Sequence, residues 1–226
     1  MSSPVPTVYV VDDEVEARES MGWVLRSRRI LWEGYASADA FEAAIDAYPL
    51  QMGGAEAWPG CASCVLLDVG MPGTSGLVLF ERLRNRGMIE RMPVIFLTGH
   101  GDVAMAVAAL QRGAFDFIEK PAAAAQLVSR IDAALASSRE HLRKVKEQAL
   151  LRQSISVLTR REREVAYQAV LGQTNGEIAE SLRINIRTVE THRAAAFAKL
   201  GARSPLELLH RLRQANTDPV VLIEHP

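Results

Sequence analysis

Residues 8–13 read VYVVDD, four residues of strand character that stop at two adjacent aspartates. The pattern recurs along the first half of the chain. CVLLD at 64–68, VIFLT at 94–98 and FDFIEK at 115–120 each carry a short apolar run into a polar or charged residue. LWEGY at 31–35 is a fifth strand candidate. Between them lie 16–27, 38–48, 77–86 and 103–112, each of helical length and period, and a further helix follows Pro121. Strands alternating with helices build a parallel sheet covered on both faces. The expected fold of this half is therefore a doubly covered α/β sheet. Residues 49–60, PLQMGGAEAWPG, read as a surface loop before the third strand.

In an open α/β sheet the functional groups gather at the carboxyl ends of the strands. The residues there are Asp12 and Asp13 after the first strand, Asp68 after the third, Thr98 after the fourth and Lys120 after the fifth. Three neighbouring carboxylates repel one another and raise each other's pKa. A hard divalent cation relieves this, and Mg²⁺ suits one or two carboxylates with waters and a phosphoryl group. Lys120 adds positive charge and Thr98 a hydroxyl donor for phosphoryl oxygens. These are the parts of a phosphoryl-transfer site that works by positioning and electrostatics. Asp68, opposite the paired acids, is the carboxylate best placed as nucleophile.

Beyond Pro121 no further strand pattern is convincing. Val128, Ile131, Leu135, Ser138, Leu142, Val145 and Ala149 recur at three- and four-residue spacing, a heptad-like seam. The fifth helix is expected to run on as a linker, 129–156, either solvated or paired with a partner chain. From Ser156 onward come three Ser/Thr-x-x-Glu capping boxes: Thr159 with Glu162, Thr174 with Glu177, and Ser204 with Glu207, the last followed by Pro205. With Asn185 as a further cap they predict four helices, 160–171, 175–182, 186–200 and 205–214. The tail, 215–226, carries no readable signal.

Helices 175–182 and 186–200, with a short turn between them, have the order and length of a helix-turn-helix. At about 100° per residue, Val189, Ala196 and Leu200 share one face of the second helix. Arg187, Glu190, Thr191, Ala194 and Ala198 lie opposite, where a major groove would be. Thr188, His192 and Lys199 flank one side and Arg193 the other, at positions suited to phosphates. Phosphate contacts supply salt-dependent affinity, whereas base-edge contacts specify sequence. Glu190 can accept from a cytosine amino group, and Thr191 or Ala194 can meet a thymine methyl.

At these residues the chain resembles a known family. VVDDE (10–14), LLDVGMPGTSG (66–76), FLTGHGD (96–102) and DFIEKP (116–121) are similar to the receiver domain of two-component response regulators of the FixJ type. LTRREREV (158–165), NGEIAESL (175–182) and RTVETHRAAAFAKLGARS (187–204) resemble the LuxR-type DNA-binding domain. The resemblance implies a flavodoxin-like five-stranded parallel sheet of order 2-1-3-4-5 over residues 1–128, the linker helix, a four-helix domain over 157–214 and a tail.

It also implies roles. Asp68 is the expected phospho-acceptor, with Thr98 and Lys120 beside it. Asp13, Asp68 and the Gly70 carbonyl are expected to bind Mg²⁺, with Asp12 acting through water. Thr98 and Phe117 form the expected switch pair, and Lys120–Pro121 is a bond often cis in receivers. A sensor histidine kinase would supply the phosphoryl group. A homodimer would then engage promoter DNA through Arg187, Thr188, Glu190, Thr191, Arg193, Ala194 and Lys199, with RNA polymerase as a further partner. The chain departs from the pattern at Gly70, where this subgroup usually has arginine, and a side chain there can shield the acyl phosphate.

The 226 residues are 48% apolar and 23% charged, which excludes a disordered or collagen-like chain. Residues 1–138 hold 11 Lys and Arg against 17 Asp and Glu, and residues 139–226 hold 15 against 10. An acidic half joined to a basic half fits two domains with different partners. No run approaches the ~20 apolar residues of a membrane span. The N-terminus lacks a basic stretch ahead of its apolar run, so it does not read as a secretory signal. Two cysteines, Cys61 and Cys64, are too few for a disulfide framework, and the chain reads as cytoplasmic. Their CxxC has no second pair to complete a zinc site. GHGDVA at 99–104 satisfies a loose dinucleotide fingerprint but follows the fourth strand. The expected function is a phosphorylation-dependent transcription factor without metabolic activity. The alternatives are a phospho-dependent module whose helical domain binds protein, and a hydrolase or dinucleotide enzyme on the same sheet.

Overall fold

A computed structural model describes residues 5–47, 60–99, 103–214 and 217–223. The expected loop at 49–60 and the GHG part of the dinucleotide-like stretch fall almost wholly outside the described residues, as does part of the tail. The chain divides into two compact units after Arg143.

In the first unit β1 (Thr7–Val11), β2 (Leu31–Tyr35), β3 (Ser63–Asp68), β4 (Val94–Thr98) and β5 (Asp116–Glu119) form one parallel sheet of order β2-β1-β3-β4-β5. Helices α1 (Val15–Ser27), α2 (Ala38–Ala47), α3 (Gly76–Asn85), α4 (Val103–Gln111) and α5 (Ala124–Ser156) cover it. Strand residues alternate between two cores, as the two-residue strand period requires. Tyr9, Val11, Val65, Leu67 and Phe96 pack with Phe41, Ile45, Leu79, Phe80 and Leu83 of α2 and α3. Val8, Val10, Cys64, Leu66, Ile95 and Leu97 pack with Met21 and Leu25 of α1 and with Leu127, Ile131 and Leu135 of α5. The central strands are buried on both faces, which is why they read as unbroken apolar runs.

The linker expected at 129–156 is divided between the two cores. Ile131, Ala134 and Leu135 are buried in the first unit. Ser138, also fully buried, accepts the Ser63 N–H at 3.0 Å and donates to the Arg91 carbonyl at 2.5 Å. The first half of the seam thus faces its own sheet and not a partner chain. In the second unit Leu151 and Ile155 of α5 join α6 (Arg160–Val170), α7 (Asn175–Leu182), α8 (Ile186–Lys199) and α9 (Pro205–Gln214) around one core.

The capping boxes at Thr159/Glu162 and Thr174/Glu177 form in both directions. At Ser204 the hydroxyl accepts the Glu207 N–H, but the Glu207 carboxylate reaches back to the Arg203 N–H instead of that of Ser204. The tail contains a 3₁₀ turn, Pro219–Leu222, capped by Asp218, and its Leu222 is fully buried in this core.

Candidate functional site

The order in which strands are added reverses at β1, which has β2 on one side and β3 on the other. Ligands bind outside the carboxyl ends at such a point, and Asp12 and Asp68 meet there. Asp12 is 1% exposed. Its backbone N–H donates to the Tyr35 carbonyl at 3.1 Å, and its Oδ1 accepts the Glu14 N–H at 2.9 Å. Lys120, just past β5, places Nζ 2.7 Å from Asp12 Oδ2 and 2.6 Å from Asp68 Oδ1. The other Asp68 oxygen, Oδ2, accepts the Gly70 N–H at 2.6 Å. Lys120 is itself fixed through its N–H to the carbonyl of Thr98, the last residue of β4, at 2.7 Å, and the Lys120–Pro121 peptide is cis.

Partial burial works to lower the Lys120 pKa, but the hydrogen bonds and charges of Asp12 and Asp68 outweigh it and the ammonium is held above its ordinary range. One cation is therefore shared by two crowded carboxylates and offsets one of their two charges. Asp13 is half-buried, and among the described residues nothing hydrogen-bonds or pairs with its carboxylate. Among the described residues no three His, Cys, Asp or Glu side chains form a closed metal cluster. Mg²⁺ does not require one, because it keeps several waters and takes one or two carboxylates. An unpaired acid beside the Lys120-bridged pair and a carbonyl two residues past Asp68 fit that demand.

Thr98 is buried. Phe117 is half-buried in β5 on the α2–α3 side of the sheet, its ring centroid 6.0 Å from that of Phe96. At Gly70 an added Cβ would lie 3.5 Å from Asp68 Oδ2, so a side chain at this position would stand beside that oxygen, which now meets only the Gly70 N–H. Sequence reasoning missed Arg18 of α1, whose Nη1 donates to the Asp12 carbonyl. No spacing rule marks it, because the contact depends on how α1 packs on β1.

In the second unit α7 and α8 form the expected helix-turn-helix. Arg183 takes the left-handed conformation at the turn, φ 53° and ψ 49°, at a cost of order 1 kcal/mol for a residue with a Cβ. Asn185 caps α8 by accepting the Arg187 N–H. Val189, Ala196 and Leu200 are buried, while Arg187, Thr188, Glu190, Thr191, Ala194 and Ala198 are exposed. His192 is half-buried.

Two residues expected to meet phosphates have internal partners. Lys199 Nζ lies 2.7 and 2.8 Å from the two oxygens of the buried Glu162 carboxylate, so this ammonium joins α8 to α6 and is not a free cation. Arg193 donates to Asn175 Oδ1 at 2.6 Å and stacks over Phe197, which fixes α8 against the start of α7.

Residues 8–132 match the family model of the response regulator receiver domain, and residues 156–212 match that of the bacterial regulatory proteins of the luxR family. The chain is 37% identical over 205 residues to the transcriptional regulatory protein TdiR of Thauera aromatica, covering 90% of this chain and 84% of that one. It is 38% identical over 213 residues to the transcriptional regulatory protein FixJ of Azorhizobium caulinodans, covering 94% of each. The solved structure of the response regulator StyR superposes with a TM-score of 0.78 at 33% identity, over 93% of this chain and 100% of that one. Likeness of this extent spans both compact units, and the chain belongs to the response regulators of two-component systems, transcriptional regulators that join a receiver domain to a LuxR-type DNA-binding domain.

Proposed function

We propose that Asp68 accepts a phosphoryl group from a sensor histidine kinase and that this step governs promoter binding by α8. The observation that carries the reading is the Lys120 ammonium shared by Asp12 and Asp68 at the point where the strand order reverses. An Asp68 carboxylate oxygen forms the new bond to phosphorus as the phosphorus–nitrogen bond of the kinase phosphohistidine breaks, and the imidazole nitrogen leaves with that electron pair. Lys120 holds the nucleophile in place beforehand and afterwards pairs with phosphoryl oxygens, with the Thr98 hydroxyl as a second donor. Asp13, Asp68 and the Gly70 carbonyl would hold Mg²⁺, with Asp12 contributing through water. When bound, the ion supplies charge that offsets the incoming phosphoryl oxygens.

Thr98 and Phe117 then transmit the change toward α4 and β5 and favour a homodimer. Two linked modules engage paired half-sites at raised effective concentration. On α8 the reading face is Arg187, Thr188, Glu190, Thr191 and Ala194, with Arg193 setting the helix angle. RNA polymerase is the further partner, and the cytoplasm is where such a regulator meets DNA. Among the described residues no helix is long and apolar enough to cross a membrane. Self-phosphorylation from small donors and loss of the phosphoryl group are the only turnover proposed.

The test incubates the chain with Mg²⁺ and acetyl phosphate, then recovers genomic DNA fragments on it. The expected result is one acid-stable, base-labile phosphoryl group lost in Asp68→Asn, with enrichment of a few fragments that rises on phosphorylation. Aspartyl phosphate persisting in Asp68→Asn would sink the acceptor assignment. Phosphorylation without any DNA enrichment would favour a helical domain that binds protein.

A further inference from the structure

Asp12 is held on every side. Its N–H binds Tyr35, Oδ1 binds Glu14 and Oδ2 binds Lys120. Its remaining acceptor, the main-chain carbonyl, takes the Arg18 Nη1–H at 2.5 Å. That carbonyl belongs to the peptide joining Asp12 to Asp13, so the bond fixes the plane from which the Asp13 side chain departs. Among the described residues Arg18 makes no ion pair, although three aspartates lie at this end of the sheet. A guanidinium that bonds a neutral carbonyl at such a place acts through geometry more than through charge. Its planar, rigid donor fork suits it to holding a peptide plane, and a charged donor makes a stronger bond than a neutral one.

The route of the side chain is also built. Arg18 sits in the second turn of α1, with its own N–H on the Glu14 carbonyl. Its Cδ passes over Gly34 of β2, where an added Cβ would stand 3.6 Å away and 2.9 Å from the Trp32 ring. Helix α1, strand β2 and the β1 terminus therefore converge on one bond.

We infer that Arg18 is a positioning residue of the phosphorylation site, which sets the Asp12–Asp13 peptide so that Asp13 is presented to the divalent cation. This rests on reading the site as a Mg²⁺-dependent phosphoryl acceptor. Groups that orient metal ligands without touching the metal typically cost 10–100-fold in metal affinity when removed. Charge argues the other way, because deleting a cation beside three acids should tighten binding of Mg²⁺. The sign of the change therefore separates the two roles.

The experiment is direct Mg²⁺ titration of the full chain by calorimetry, with no phosphodonor present, for wild type, Arg18→Met and Arg18→Lys. Thermal unfolding without Mg²⁺ is recorded in parallel. The expected result is a roughly tenfold weaker Mg²⁺ affinity in Arg18→Met, a smaller loss in Arg18→Lys, and phosphorylation of Asp68 restored to the wild-type level at saturating Mg²⁺. Unchanged or tighter Mg²⁺ binding in Arg18→Met overturns the inference. If Arg18→Met fails to fold, Arg18→Lys decides by the same criterion. Wild-type protein that binds no Mg²⁺ would instead overturn the phosphoryl-acceptor reading itself.

Discussion

Gly76 opens α3 directly against Asp68: a Cβ built on Gly76 would stand 2.0 Å from the Asp68 carbonyl oxygen and 2.9 Å from its carbonyl carbon. The Gly76 N–H also binds the Val69 carbonyl at 3.2 Å, so the loop after β3 folds back onto the strand it has just left. Backbone cannot yield as a flexible side chain does. Gly76→Ala should therefore displace the end of β3, with an overpacking cost of about 1–3 kcal/mol. Unfolding in urea measures the stability. Phosphorylation from acetyl phosphate should fall by more than the folded fraction does, because the displaced residue is the acceptor.

Gly70 bears on the same carboxylate from the other direction. Gly70 meets Asp68 Oδ2 through its N–H alone, with no side chain beside it to shield an acyl phosphate on Asp68 from water. Gly70→Arg grows a side chain from a Cβ position 3.5 Å from that oxygen, in ordinary contact and without a clash. The expected effect is a lifetime longer on the order of tenfold, about 1.4 kcal/mol of added barrier. Decay of radiolabelled phosphoprotein gives the rate, and a lifetime equal to or shorter than that of wild type contradicts the shielding argument.

The parts of this molecule that were legible in its sequence are those set by local rules. Strand ends are marked by the change from Val11 to Asp12 and from Leu67 to Asp68, and helix starts by Thr159, Thr174 and Asn185. Each depends on residues a few positions apart. Contacts between distant elements were not legible. Arg18 meets Asp12 only because α1 packs on β1, and Lys199 meets Glu162 only because α8 ends where α6 begins. Ser138 shows the same limit differently. It belongs to the seam, but the seam there faces a sheet, and helical spacing is the same whether the apolar stripe meets a sheet or another helix. Leu222 was missed because a single 3₁₀ turn has no period to detect.

The Lys199–Glu162 pair makes the role of Lys199 measurable. Burial alone would raise the Glu162 pKa, but the Lys199 ammonium and the Thr159 hydrogen bonds outweigh it and hold the carboxyl below its ordinary value. A depressed folded-state pKa stabilises the fold above the ordinary carboxylate range, and that stability is lost as pH falls through the depressed value. Lys199→Met leaves Glu162 buried without its cation and should cost about 1–3 kcal/mol at neutral pH. The gap from wild type should close in acid. DNA binding by the folded fraction should keep its salt dependence, whereas loss of a phosphate contact would lower the slope.

Glu190 poses the opposite case, a charge with no partner. It is exposed in the middle of the α8 face, and among the described residues nothing hydrogen-bonds or pairs with its carboxylate. Arg187, one turn earlier, is exposed as well. An acid approaching the phosphates of a duplex is repelled, so it weakens binding to every sequence unless a base offers it a donor. In the major groove the cytosine amino group is such a donor. Glu190→Ala should therefore bind non-specific DNA more tightly while losing discrimination at one base pair. Arg187→Ala should lose affinity, by about 1–3 kcal/mol together with specificity at one position where the guanidinium reads a base, or evenly across sequences where it meets a phosphate. Binding to a selected site and its single-base variants, titrated over salt, resolves both. A Glu190→Ala protein with unchanged preference at every position would place Glu190 outside the readout and leave Arg187 and Thr191 to carry it.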